Sequence, residues 1–125
     1  MANIFIVEDE KDIRELVAFT LRYGGHSVKQ FANGEEVFTA LADEIPDLFI
    51  LDVRMPGVSG YELCESIKQN VKTASIPVIF LSAKGQSEEI SRGFDAGAID
   101  YILKPFIPEQ LNNKVNQILS IDEQS

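Results

Sequence analysis

The chain has 125 residues, 45% hydrophobic and 25% charged, with a net charge of −9 and a single cysteine, Cys64. That size suits one domain with a substantial core. The acidic balance disfavours intrinsic binding to nucleic-acid phosphates or anionic membranes, and one cysteine excludes an internal disulfide. No apolar run approaches the roughly 20 residues of a bilayer span, and MANIFIVEDE lacks the basic region and long apolar stretch of a secretory signal. A cytoplasmic protein is expected.

The first apolar run, Ile4–Val7, predicts a buried strand. Ile13, Leu16, Val17, Thr20 and Leu21 then recur at helical spacing, and Gly24-Gly25 stops the helix. Ser27–Phe31 (SVKQF) is the most polar strand candidate and suits a sheet edge. Asn33, with Glu36 three residues on, starts a second helix carrying Val37, Ala40 and Leu41. Leu48–Leu51 is a third strand. Ser59 and Glu62 form a capping box ahead of Leu63 and Ile67. Val78–Leu81 is a fourth strand, followed over residues 86–96 by a weaker helix with Gly93 inside and Ile90 and Phe94 as its main apolar residues. Ile99–Leu103 is the fifth strand, and Leu111, Val115, Ile118 and Leu119 mark the last helix. Residues 1–121 are expected to form the domain and 122–125 a tail. Cys64 reads as a small packing residue on the third helix, and His26 as a loop residue.

Five βα units in succession predict an α/β fold, a doubly wound parallel sheet with helices on both faces. Such sheets bind ligands at the carboxyl ends of their strands. Glu8-Asp9 follows the first strand, Asp52 the third, Ser82 the fourth and Lys104 the fifth. One patch is therefore expected to hold three carboxylates, a hydroxyl and an ammonium. Clustered carboxylates repel, so the patch calls for Lys104 and a hard divalent cation; carboxylate, carbonyl and water oxygens are the ligands Mg²⁺ prefers. A Mg²⁺ site suits a phosphoryl group, and an aspartate can attack phosphorus to give an acyl phosphate.

On VEDE (7–10), LDVRMPGVSGYEL (51–63), FLSAK (80–84) and GAIDYILKPF (97–106), the chain resembles the response-regulator receiver domains of two-component signalling, chemotaxis-regulator type, over essentially its whole length. The resemblance implies a flavodoxin-like sheet of order 2-1-3-4-5. It implies that Asp52 accepts phosphate from a histidine kinase or histidine phosphotransfer protein, with Mg²⁺ (or Mn²⁺) held by Glu8, Asp9, Asp52 and the Arg54 carbonyl. Ser82 and Tyr101 would be the switch residues, Lys104 would pair with the phosphoryl oxygens, and Pro105 would follow a cis bond. Such a domain catalyses only its own phosphorylation and dephosphorylation. It would switch the face built from the fourth helix, fifth strand and fifth helix, and so control a downstream protein or an output domain. Glu8 stands where many receivers have a second aspartate. Arg54 and Lys84, long basic residues flanking the site, are candidates for setting the acyl-phosphate lifetime. The alternative reading is a Mg²⁺-dependent phosphatase with an aspartyl-phosphate intermediate. It wants an aspartate two residues after the nucleophile, where this chain has Arg54.

Overall fold

The computed structural model describes residues 2–83 and 87–124. Five parallel strands, β1 (Asn3–Val7), β2 (Ser27–Phe31), β3 (Leu48–Asp52), β4 (Val78–Ala83) and β5 (Asp100–Lys104), form one sheet of order β2-β1-β3-β4-β5. The helices are α1 (Lys11–Tyr23), α2 (Gly34–Leu41), α3 (Gly60–Gln69), α4 (Ser87–Ala96) and α5 (Pro108–Gln124). The predicted order of elements holds. The helical backbone of α5 continues through residues 122–124, where a tail was expected.

Strand alternation divides the core in two. Ile4, Ile6, Leu48, Ile50, Ile79 and Leu81 pack against Val17 and Leu21 of α1 and Leu111 and Val115 of α5. Phe5, Val7, Phe49, Leu51, Val78 and Phe80 face the other way, onto α2, α3 and the end of α4. The nearly continuous apolar runs of β1, β3 and β4 follow from being covered on both faces. β5 differs: it is the second edge of the sheet, and Leu103 is 38% exposed.

Two helices bury other residues than their periodicity suggested. On α1 the buried stripe is Val17, Ala18, Thr20 and Leu21, while Leu16 turns outward. On α4 the buried residues are Glu89, Gly93 and Ala96, and Phe94 is largely exposed. The reason is Gly93. A Cβ there would come within 2.8 Å of the Phe80 ring, so glycine lets α4 lie close over β4. The helix thus docks through its smallest residues.

Local signals elsewhere formed as read. Asn33 Oδ1 accepts from the Glu36 N–H at 3.0 Å and caps α2. Ser59 and Glu62 make the full capping box of α3. Cys64 is buried on α3, its thiol donating to the Ala96 carbonyl, and burial pushes its pKa up to about 11. His26 Nε2 lies 2.9 Å from Asn116 Oδ1, which ties the loop after α1 to α5.

Candidate functional site

The sheet reverses its order between β1 and β3, with β2 on one side and β3, β4 and β5 on the other. This is the switch point where the chain diverges and leaves an open crevice. Val7 pairs with Leu51, so the next residues, Glu8 and Asp52, emerge side by side. Alternation puts Glu8, Asp52 and Lys104 at positions in phase with Ile6, Ile50 and Ile102, which all pack in the core beneath α1 and α5. Lys104 lies two residues beyond the row Asp52–Leu81–Ile102, and its flexible stem reaches back. Its Nζ donates to Asp52 Oδ1 at 2.8 Å and to Glu8 Oε1 at 2.9 Å.

Glu8 is fully buried. Its main chain is fixed from both sides: its N–H donates to the Phe31 carbonyl, and its carbonyl accepts from Arg14 Nη1. Burial, reinforced by the hydrogen bond and negative charge of Asp52, pushes the Glu8 pKa up to about 8 against the opposing pull of Lys104. Burial alone would lower the Lys104 pKa, but the two carboxylates outweigh it and raise it, so the ammonium stays charged.

Asp9, exposed at the rim, completes the cluster. Glu8, Asp9 and Asp52 each offer one carboxylate oxygen, and these atoms lie within 4.8 Å of one another. The donors are hard oxygens with no imidazole or thiolate among them, which fits Mg²⁺ or Mn²⁺ better than zinc. Asp52 itself is only 7% exposed, and the loop that follows β3 turns close beside it. Gly57 takes φ +78° in the Pro-Gly turn. Gly60 then brings the first turn of α3 so near β3 that a Cβ would lie 2.1 Å from the Asp52 carbonyl oxygen.

The remaining sequence candidates are not all on this patch. Ser82 is out of phase with the carboxylates: Leu81 faces α1 and α5, so Ser82 faces α4, where its buried hydroxyl donates to Glu89 Oε1 at 3.1 Å. Arg54 projects outward and its Nη2 reaches Glu89 Oε2 at 2.8 Å. No N–H is directed along that contact, so Oε2 has an ion pair without a formed hydrogen bond. Tyr101 sits half-buried on β5, edge-on to Phe94 with ring centres 5.9 Å apart. Lys114 Nζ lies 5.4 Å over the Tyr101 ring and donates to its carbonyl. The Lys104–Pro105 peptide bond is cis. Lys84 lies outside the described residues.

Glu89 is the residue that sequence reasoning missed. The signal was present: Gly93 marks the buried face of α4, and Glu89 lies one turn earlier on that face. A carboxylate on the buried side of a helix needs a partner.

The response regulator receiver domain family matches residues 4–116. The phosphate regulon transcriptional regulatory protein PhoB of Pseudomonas aeruginosa is 39% identical over 117 residues, which cover 94% of this chain and 51% of PhoB. Among solved structures, the receiver domain of NtrX from Brucella abortus superposes with a TM-score of 0.87 at 32% identity, covering 94% of this chain and 98% of the other. The chemotaxis response regulator CheY4 of Vibrio cholerae gives 0.88 at 29% identity with the same coverages. The chain spans about half the length of the curated relatives it matches. A crevice at the β1/β3 switch point, three clustered carboxylates with a lysine reaching back to them, and these matches agree: the chain belongs to the response regulator receiver domain family.

Proposed function

We infer that Asp52 is the phosphoacceptor, taking a phosphoryl group from a histidine kinase or a histidine phosphotransfer protein. The observation that carries this is the Lys104 bridge: one ammonium bonded to both Asp52 and Glu8 where three carboxylates converge. In the transfer an Asp52 oxygen attacks phosphorus. A P–O bond forms as the P–N bond to the donor histidine breaks, and the electron pair returns to the imidazole nitrogen. Lys104 is within reach of the developing charge on the phosphoryl oxygens. Glu8, Asp9, Asp52 and the Arg54 carbonyl would hold a Mg²⁺ ion, or Mn²⁺ in its place. When bound, that ion supplies charge neutralisation to the phosphoryl oxygens.

Ser82 and Tyr101 are the residues that would answer phosphorylation, and Tyr101 lies with Ser82 and Phe94 along the closed seam where α4 meets β4 and β5. The face of α4, β5 and α5 would carry the signal to a downstream protein or an output domain. PhoB and RpaA, among the relatives, are transcriptional regulators. Arg54 and Lys84 remain candidates for setting the lifetime of the acyl phosphate. Among the described residues no helix is long and apolar enough to cross a membrane, and a cytoplasmic setting suits a kinase-coupled receiver. Mass spectrometry after incubation with Mg²⁺ and acetyl phosphate is the test. A gain of one phosphoryl group, lost in Asp52→Asn, is the expected result; a gain that survives Asp52→Asn overturns the assignment.

A further inference from the structure

Two donors near the end of the acceptor strand share one anion. Ser82, at the end of the strand beside β3, and Arg54, two residues after Asp52, both engage the Glu89 carboxylate, Ser82 Oγ to Oε1 at 3.1 Å and Arg54 Nη2 to Oε2 at 2.8 Å. Glu89 is only 9% exposed, in the first turn of α4. A carboxylate this buried is costly without partners, so the two contacts hold Glu89 in place as much as it holds them.

We propose that Glu89 is a positioning residue which, before phosphorylation, occupies the two donors that a phosphoryl group on Asp52 would engage, so that phosphorylation exchanges Ser82 and Arg54 from one anion to the other. The inference rests on the reading of Asp52 as phosphoacceptor. Towards a hydroxyl and a guanidinium, a carboxylate and a phosphoryl group are chemically alike, since both present anionic oxygens. The phosphoryl group adds about −1.5 to −2 charge, so it attracts both donors more strongly and repels the carboxylate they leave.

Glu89 has a place to go. A groove of about 690 Å³ lies beside it, lined by Arg54, Tyr61, Glu62, Glu88 and Arg92. Arg92 is three residues along the same helix, within reach of Glu89 by helical geometry. Its guanidinium now rests 4.3 Å over the Tyr61 ring. The Tyr61 hydroxyl donates to the Glu89 carbonyl at 3.2 Å, so the main chain is pinned and the side chain is the moving part.

The test is phosphorylation by acetyl phosphate with Mg²⁺, followed by mass. Glu89→Ala should lower the donor concentration for half-maximal phosphorylation about tenfold, the effect of removing one charged hydrogen bond from the competing state. Glu89→Gln, which still accepts from Ser82, should lower it less. In a Ser82→Ala background most of the Glu89→Ala effect should vanish, because the two changes act on one contact. An unchanged midpoint in Glu89→Ala, with Asp52 still taking phosphate, overturns the exchange alone. Failure of the wild type to take phosphate, or uptake that survives Asp52→Asn, overturns the reading of Asp52 and the exchange with it. The wild type gives a second measurement that needs no variant to fold. With Mg²⁺ and beryllofluoride, a phosphoryl mimic, the side-chain carboxyl carbon resonance of Glu89 should shift. A resonance that stays put while Asp52 is loaded overturns the proposal.

Discussion

Lys104 Nζ stands 2.8 Å from Asp52 Oδ1 although its backbone lies two residues beyond Asp52's row in the sheet. The side chain folds back over the strand ends to reach the carboxylate and, in the same geometry, the buried Glu8. Its ammonium is thus a counter-charge within the carboxylate cluster. Lys104→Ala should destabilise the metal-free protein by roughly 2 kcal/mol, the order expected for losing charged hydrogen bonds, with protonation of Glu8 limiting the loss. Added Mg²⁺ should recover part of it, since a cation relieves the same repulsion. Urea unfolding of both proteins with and without Mg²⁺ checks this.

The pH dependence follows from Glu8. Its folded pKa, about 8, lies above the ordinary 4.5. The folded protein therefore holds a proton that the unfolded chain has released, and stability must fall as pH rises through this window. Metal-free protein should be more stable at pH 5.5 than at pH 8, and Glu8→Gln should flatten that slope. Lys104, raised from its usual value, contributes stability that is lost only above pH 10.5, so it does not blur the window. A divalent cation must displace the Glu8 proton, so its affinity should rise from pH 6 to pH 8. Thermal unfolding across pH, with and without Mg²⁺, reads both effects.

Much of this site was legible from strand ends. Glu8, Asp9, Asp52 and Lys104 could be grouped because a doubly wound sheet brings those positions to one edge. What strand ends do not tell is the face. Ser82 follows Leu81, and alternation turns it toward α4, away from the carboxylates at the neighbouring strand ends. Its partner Glu89 was hidden because α4 was read by its large apolar residues. The helix docks instead through Gly93 and Ala96, and Phe94 is left largely in solvent. A helix that packs through small residues has a weak apolar signature, and its buried polar residue is then easily taken for surface.

Two glycines set how closely the helices approach the site, and they should respond differently to alanine. At Gly93 the new methyl would meet the edge of the Phe80 ring at 2.8 Å, a side chain that can shift. Overpacking should outweigh the gain in helix propensity of about 1 kcal/mol, for a net loss of roughly 1 kcal/mol. At Gly60 the methyl would lie 2.1 Å from the Asp52 carbonyl, a backbone atom of the central strand. Gly60→Ala should cost about 3 kcal/mol or more, and should reduce phosphoryl uptake because it displaces the acceptor itself. Chemical denaturation ranks the pair; equal costs would mean that β3 yields as readily as an aromatic ring.

Cys64 offers a reporter on the helix that the signal would move. The thiol is buried on α3 and bonded to the Ala96 carbonyl at the last residue of α4, and burial holds its pKa near 11. Both the low thiolate fraction and the lack of access should make it nearly inert to a disulfide reagent in the native protein at pH 7. Labelling must then wait for an opening that lifts the end of α4 from α3. The rate should rise when the anchors of α4 are weakened, so Glu89→Ala should label several-fold faster than the wild type. A change confined to the first turn, with the end of α4 still seated, would leave the rate unaltered. Rapid labelling of the wild type would show that α4 opens freely before any phosphate arrives, and would set the resting clasp of Ser82 and Glu89 as a weak one.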